Sequence, residues 1–146
     1  MNAGRIVVGV DGSQQSREAL RWAARQARLT GARLELITAW DMPVTFGAPV
    51  YEGDYDLSAV AGQTLTETTA EVLGPEPDVP ITPTVVRGHP AQVLVEASKG
   101  AELLVMGSRG HGGIVGVLLG STSRYCVQRA KCPVVVLPGV EAEAEE

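Results

Sequence analysis

The sequence predicts an α/β domain: an open, doubly wound sheet of five parallel strands in the order 3-2-1-4-5, with helices on both faces. Short β-branched runs alternate along the chain with longer segments whose apolar residues recur at helical spacing. This alternation is typical of parallel sheets in which right-handed crossovers place helices on both sides. The length of 146 residues, with 45% hydrophobic and 20% charged residues, fits one compact domain.

The first strand and the first helix follow each other directly. The strand is predicted from Arg5 to Val10, and Asp11 and Ser13 end it. Serine and aspartate favour the position before a helix, because their side chains accept hydrogen bonds from its free amides. The helix is predicted from Gln14 to Leu29, where an apolar stripe lies opposite four arginines, and Gly31 ends it.

The middle of the chain continues the alternation. Leu34 to Ala39 forms the second strand, and residues 41–56, rich in proline, glycine and aromatic residues, form a long loop of a kind that is often functional. A second helix begins at Leu57. The third strand is Ile81 to Arg87, and Pro83 within it cannot donate to a neighbouring strand, which places this strand at a sheet edge.

The last third contains two more helices and two more strands. Proline fits the first turn of a helix, so the third helix is predicted to begin at Pro90, and it ends near Gly100. Glu102 to Met106 forms the fourth strand. A fourth helix from Ser121 to Ala130 and a fifth strand from Pro133 to Leu137 complete the domain.

The charge distribution excludes several classes of function. Four of the 17 acidic residues lie in the last six positions, so residues 1–139 are predicted to form the domain and 140–146 an acidic, disordered tail. Outside the tail the charges nearly balance, and no nucleic-acid motif accompanies the arginine stripe, so no nucleic-acid partner is expected. No apolar run is long enough to span a membrane and no signal-peptide core is present, which predicts a cytoplasmic protein without membrane association.

Two cysteines offer no framework for disulfides or zinc. Cys126 and Cys132, with only two histidines in the chain, match no zinc-finger spacing. Both thiols are therefore predicted to be buried or half-buried.

A glycine-rich segment is the most informative part of the chain. Six of the 17 glycines lie in Gly107–Gly120, which reads GSRGHGGIVGVLLG and is followed by hydroxyl residues at 121–123. Gly107 and Gly110 come directly after the fourth strand, where a missing Cβ lets backbone amides approach a ligand and permits positive φ. The start of the fourth helix offers free amides, a favourable dipole and hydroxyls to an anion. The segment predicts a phosphate cradle at the carboxyl ends of the strands, where such sheets bind ligands.

The common phosphate-binding motifs do not match. A P-loop needs Gly-Lys-Ser/Thr, but the lysines, Lys99 and Lys131, lie outside the segment, and the dinucleotide fingerprint G-x-G-x-x-G does not occur. What remains is G-x2-G-x9-G-[ST], with Arg109 as its one cation. A flexible or partner-binding loop of small residues is the alternative interpretation.

Four pieces of sequence resemble a known family. They are Ile6–Ser13, Leu104–Gly110, Gly120–Thr122 and Cys132–Val136. Together they are similar to single-domain members of the universal stress protein family over nearly the whole chain, and the glycine spacing is that of its ATP-binding branch. The resemblance implies a Rossmann-like domain that binds ATP, usually as a homodimer, and that takes part in a stress response.

The resemblance also implies a set of ligand-binding positions. Carried over one by one, they are Gly9, Val10, Asp11, Ala39, Met106, Gly107, Arg109, Gly110, Gly120, Ser121, Thr122 and Ser123. Asp11 would lie near the ribose or the metal, and Ala39 would meet adenine through its backbone. Magnesium or manganese would bind through the phosphates rather than in a protein cage, because these hard cations keep several waters.

Simpler interpretations of single residues remain open. Asp11 and Ser121 could each merely cap a helix. Trp22 and Trp40 are predicted to pack in the core or at its rim, and His89 is predicted to be a loop residue.

Three classes of function stay open. The favoured one is a nucleotide-dependent regulatory module, in which ATP sets the conformation of residues 41–56 and Arg109 and so the recognition of a protein partner. The second is a slow ATPase or nucleotidyl-transfer enzyme, for which no nucleophile or base can be assigned. The third is an interaction dimer without nucleotide. The apolar fifth strand, Val134 to Leu137, carries no charge to protect its edge, which predicts a homodimer through that strand.

Overall fold

The computed structural model describes residues 4–42, 56–108 and 119–138. Five strands form one sheet in the order β3-β2-β1-β4-β5, and every neighbouring pair is parallel. The elements along the chain are β1 (Arg5–Gly9), α1 (Gln14–Thr30), β2 (Arg33–Trp40), α2 (Leu57–Leu73), β3 (Ile81–Arg87), α3 (Pro90–Ala97), β4 (Leu103–Gly107), α4 (Ser121–Arg129) and β5 (Val134–Leu137). The predicted fold class and strand order are confirmed.

The two faces of the sheet carry different helices. On one face, Leu20 of α1 and Leu65 of α2 form a buried cluster with Val8 of β1. On the other face, Leu94 of α3 clusters with Val7 of β1, and α4 packs against α3. Successive residues of a strand point to opposite faces, so a strand covered on both sides is apolar on both, as β1 is after Arg5.

The two outer strands differ in their exposed edges. In β3, Pro83 lies opposite Leu36 of β2, and the predicted edge position of this strand is confirmed. In the part of the chain that the structure describes, β5 pairs only with β4. All four residues of β5 are partly buried and apolar.

Most predicted boundaries differ from the structure by at most one residue, but α3 is shorter than predicted. It ends at Ala97 rather than near Gly100. Two short-range bonds, from the Lys99 amide to the Glu96 carbonyl and from the Ala101 amide to the Ser98 carbonyl, replace the helical pattern there. Gly100 then adopts a φ of 77°, which turns the chain towards β4.

The arginine stripe of α1 is largely used in ion pairs. Three of its four members pair with carboxylates: Arg17 with Glu71 at 2.7 Å, Arg21 with Glu18 at 2.7 Å and Arg28 with Asp78 at 2.9 Å. The Arg17 pair ties α1 to α2, the Arg28 pair ties it to the segment before β3, and the Arg21 pair lies within α1. They support the interpretation of the stripe as a solvated helix face.

The cysteines and tryptophans occupy the predicted environments. Cys126 is buried, which raises the pKa of its thiol to about 11, and burial also raises the pKa of the half-buried Cys132. Trp22 packs against the α1–α2 core, and Trp40 is half-buried with the guanidinium of Arg87 5.5 Å from its ring centre. None of the helices in the described ranges is both long and apolar enough to cross a membrane.

Some sequence predictions fall on residues outside the described ranges. They concern residues 43–55 of the predicted functional loop, the phosphate-binding positions Arg109 and Gly110, and the acidic tail at 140–146.

Candidate functional site

A cleft of about 370 Å³ opens at the carboxyl edge of the sheet, where β1, β2 and β4 end. Its volume lies within the range of small-molecule sites in proteins. β1 and β4 are the strands between which the order along the sheet reverses, and ligands bind at that position in open α/β folds.

Ten of the twelve positions implied by the resemblance line this cleft. They are Gly9, Val10, Asp11, Ala39, Met106, Gly107, Gly120, Ser121, Thr122 and Ser123. The other two, Arg109 and Gly110, lie outside the described residues. Residues distant in sequence meet here because parallel strands bring their carboxyl ends to one edge of the sheet.

The cleft is also lined by six residues that were not predicted from the sequence. They are Ser13, Ser16, Ile37, Pro90, Leu94 and Ser108. The period of two along a strand could have identified Ile37, which shares a face of β2 with Ala39. No local signal could have identified Leu94, since its position depends on how α3 packs over the sheet.

One side of the cleft is apolar. Ile37, Leu94 and Met106 belong to the buried cluster beneath α3 and α4. Gly9 allows this packing, because a Cβ built there would lie 3.0 Å from Cδ1 of Leu94. The glycine at the end of β1 therefore gives the Leu94 side chain of α3 room to pack closely against the strand.

The start of α1 is capped by side chains of the residues that precede it. Ser13 is the N-cap, and its Oγ accepts a hydrogen bond from the Ser16 amide at 3.2 Å. Oδ1 of Asp11 accepts from the Ser13 amide at 2.9 Å and from the Ser13 hydroxyl at 2.6 Å. The interpretation of Asp11 as the helix cap is wrong, because Ser13 occupies that position and Asp11 supports it.

The start of α4 has a different construction. Its N-cap is Gly120, which has no side chain and so supplies no capping acceptor. The interpretation of Ser121 as the cap is therefore also wrong. The first amides of an α-helix lack intrahelical acceptors and lie at the positive end of its dipole. Ser121 and Thr122 add two hydroxyls that line the cleft at this point.

Gly107 has a packing role that was not predicted. Its backbone continues β4, paired with Leu137 of β5, and it is not among the described glycines with positive φ. A Cβ built on Gly107 would lie 2.6 Å from Cβ of Gln15, in the first turn of α1. The glycine is required there because α1 crosses close to the end of β4, and its backbone does not use the positive φ that glycine permits.

His89 has a defined structural role. It is the N-cap of α3, and its Nδ1 accepts a hydrogen bond from the Ala91 amide at 3.2 Å. The prediction of an ordinary loop residue missed this function, because histidine is not among the residues that usually cap helices.

Comparison with known proteins identifies the family. A model of the universal stress protein family matches residues 2–138. The chain belongs to the universal stress protein family. It is 38% identical, over 134 residues, to a universal stress protein of Mycobacterium tuberculosis, in an alignment that covers 90% of this chain and 44% of that protein. The chain spans about half the length of the curated relatives that it matches.

Solved structures of universal stress proteins share the fold. One, in complex with cAMP, is 29% identical with a TM-score of 0.67, and the match covers 92% of this chain and 96% of that one. Another, from Archaeoglobus fulgidus in complex with dAMP, is 21% identical with a TM-score of 0.64 and covers 92% and 97% of the two chains. Adenine nucleotides are therefore bound by members of this family that resemble the chain over nearly its whole length.

Proposed function

We propose that this universal stress protein binds ATP, with magnesium or manganese held through the phosphates, and that nucleotide occupancy regulates its recognition of a protein partner in a stress response. One observation carries the proposal. A single cleft combines an apolar side, suited to a base, with a helix start that has no capping side chain, suited to phosphates. The relatives solved with cAMP and dAMP support the adenine part of it.

The adenine ring is assigned to the apolar side of the cleft. Ile37, Leu94 and Met106 line it there. β1 ends at Gly9, whose register partner is Ile37, so β2 continues beyond β1 and carries Ala39 to the open edge. This placement supports the contact between adenine and the Ala39 backbone that the resemblance implies.

The phosphates are assigned to the start of α4. Its first amides, with the hydroxyls of Ser121 and Thr122, offer donors to oxygen atoms that can only accept. Arg109 and Gly110 remain part of this proposal through the resemblance. Among the described residues there is no group of three or more histidine, cysteine, aspartate or glutamate side chains that could hold a metal. The metal is therefore assigned to the phosphates, with Asp11 beside it or beside the ribose.

One preparation tests the nucleotide proposal. Protein purified without added nucleotide is heat-denatured, the released small molecules are identified by mass spectrometry, and the emptied protein is titrated calorimetrically with Mg-ATP. We expect either co-purified ATP or saturable binding with one site per chain. An empty protein without binding heat would refute the proposal and favour the interaction dimer. Phosphate release by the same sample, above a blank without protein, would favour an ATPase.

We also propose that two chains form a homodimer through β5. The strand is apolar and presents one unpaired backbone edge among the described residues. An isologous pair of β5 strands related by a two-fold axis would satisfy both edges at once.

Backbone alternation provides a sharp test of the dimer. The Pro133 and Leu137 carbonyls accept hydrogen bonds from β4. Backbone groups of a strand face its two neighbours at alternate residues, so those of Val136, an odd number of residues from both, face the open edge. Val136→Pro removes an outward N–H without removing a bond to β4. We expect the mass of two chains for the unchanged protein and for Val136→Thr by analytical ultracentrifugation, and the mass of one chain for Val136→Pro. A monomeric unchanged protein at micromolar concentration would refute the dimer, and a dimeric Val136→Pro would refute the role of β5.

A further inference from the structure

We infer that Ser123 is a positioning residue, whose side chain holds the start of α4 in the orientation that phosphate binding requires. It contributes to the affinity for the phosphates but not to the affinity for adenosine. This inference rests on the proposed function, because it concerns the phosphate end of the same cleft.

The Ser123 hydroxyl is directed inward. The residue is 1% exposed, and its Oγ donates to the Ser108 carbonyl oxygen at 2.5 Å, with the Gly120 carbonyl oxygen 3.2 Å away. A hydroxyl has one proton, and a phosphate oxygen needs a donor. Because that proton is already given to a carbonyl, the side chain of Ser123 is not available to donate to a phosphate. This distinguishes it from Ser121 and Thr122.

Ser108 is the fixed point to which Ser123 connects α4. The Ser108 amide donates to the Leu137 carbonyl of β5 at 2.8 Å. Its hydroxyl donates to Oε1 of Gln15 in α1 at 3.0 Å. Its carbonyl accepts from the Gly120 amide at 2.7 Å as well as from Ser123. Ser108 is thus held by the sheet and by α1, and its carbonyl holds the first turn of α4 at two places.

These two bonds set the position of the α4 amides relative to the rest of the cleft. The Gly120 amide fixes one point of the first turn, while the packing of α4 against α3 holds the rest of the helix. The Ser123 hydroxyl adds a second point, one turn further along. Donors that are already oriented bind an anion more tightly than donors that must first be ordered. The apolar side of the cleft is built from β2, α3 and β4 and does not depend on this bond.

The test compares two ligands and three variants. We measure the dissociation constants of Mg-ATP and of adenosine, the latter by competition, for the unchanged protein and for Ser123→Ala. ATP binding is expected to weaken about tenfold, the effect of losing one hydrogen bond that orients several others, while adenosine binding changes less than about twofold. Ser123→Thr keeps the donor and is expected to bind ATP within about threefold of the unchanged protein.

Ser98 provides a matched control. It is 0% exposed, and its Oγ donates to the Val95 carbonyl at 2.6 Å and accepts from the Lys131 amide at 2.8 Å. It lies at the end of α3 opposite to the one that lines the cleft. Ser98→Ala therefore deletes an equally buried hydroxyl, and we expect it to lower the unfolding midpoint without changing either affinity.

The outcomes separate this inference from the proposed function. Equal losses for ATP and adenosine in Ser123→Ala, or no loss for either, would overturn the positioning role while leaving nucleotide binding intact. An ATP-specific loss in Ser98→Ala of the same size would also overturn it. If the unchanged protein binds no ATP, the proposed function fails first and this inference falls with it.

Discussion

Helices α1 and α4 both begin at the carboxyl edge of the sheet and both contribute to the same cleft, but their first turns are built in opposite ways. At the start of α1, Ser13 accepts from the Ser16 amide and Asp11 accepts from Ser13. At the start of α4, Gly120 has no side chain to offer. One helix start is capped by side chains of the chain itself, and the other has no capping side chain among the described residues.

This difference indicates where an anion can bind. The dipole of each helix favours negative charge at its start, but at α1 the Asp11 carboxylate already provides it. A phosphate there would meet a like charge and donors that are already used. At α4, Ser121 and Thr122 line the cleft, and no side chain caps the start of the helix. We therefore assign the phosphates to the start of α4, which lacks a capping side chain.

The largest change in ATP affinity is expected from giving α4 a capping side chain, as α1 has. Gly120→Asp supplies a carboxylate cap, which occupies the first amides and repels phosphate. We expect ATP affinity, measured by calorimetry, to fall about a hundredfold or more, while helix capping raises the stability by a few tenths of a kcal/mol. Gly120→Asn caps without charge and should lose less affinity. Unchanged ATP affinity in Gly120→Asp would show that the phosphates bind elsewhere.

A substitution at Gly107, beside the first turn of α1, is expected to reduce the stability of the fold. Gly107→Ala would place a Cβ 2.6 Å from Cβ of Gln15 and 3.2 Å from its carbonyl carbon, so backbone must move. We expect the free energy of unfolding in urea to fall by about 1 to 3 kcal/mol.

Gly62 in α2 is the matched control for this substitution. The nearest atom to a Cβ there is 3.9 Å away. Gly62→Ala should therefore raise the stability by about 0.5 to 1 kcal/mol, because alanine is the better helix residue. A Gly107→Ala protein as stable as the unchanged one would show that α1 can withdraw from β4 at no cost.

Serine-to-alanine substitutions at the two helix starts should affect different properties, stability at α1 and ATP affinity at α4. Ser13→Ala removes the α1 cap and is expected to lower the stability by about 1 kcal/mol while changing ATP affinity less than about twofold. Ser121→Ala removes a donor at α4 and is expected to weaken ATP binding about fivefold while changing the stability by less than about 0.5 kcal/mol. Urea unfolding measures the stability of both proteins, and calorimetry measures their ATP affinity. An affinity loss in Ser13→Ala together with a stability loss in Ser121→Ala would contradict the difference between the two helix starts.

The smallest effect is expected at the other end of α1. Arg28 and Asp78 form an exposed ion pair at 2.9 Å, and the hydrogen bond from Arg28 lowers the pKa of Asp78 below its ordinary value of 3.8. Because the folded pKa is the lower one, this stabilisation is present at neutral pH and is lost as the pH falls through it. We expect Asp78→Asn to shift the urea midpoint only slightly at pH 7, since exposed ion pairs contribute little, and not at all once Asp78 is protonated. A large shift at pH 7 would contradict this.

Much of the fold could be predicted because its signals are local. The β-branched runs and the helical spacing located the nine elements, and Pro83 identified one edge of the sheet. The strand order then brought the carboxyl ends of β1, β2 and β4 together, which explains why residues such as Asp11, Ala39 and Met106 line one cleft.

Other features could not be predicted, because each depends on a contact between distant parts of the chain. Leu94 lines the cleft only because α3 packs onto Gly9. Gly107 lines the cleft, but its close contact with Gln15 of α1 has no local signal in the sequence.

The sequence by itself determined the order of strands and helices along the chain and the edge of the sheet at which the carboxyl ends of the strands meet. These follow from residue type and spacing, which act over a few positions of the chain. Only the tertiary structure decided which hydroxyls can serve a ligand. Ser121, Thr122 and Ser123 are equivalent as a pattern, but the Ser108 carbonyl, 15 residues before Ser123, takes the proton of that one alone among the three. A hydroxyl has one proton to donate, and the tertiary packing determines which acceptor receives it.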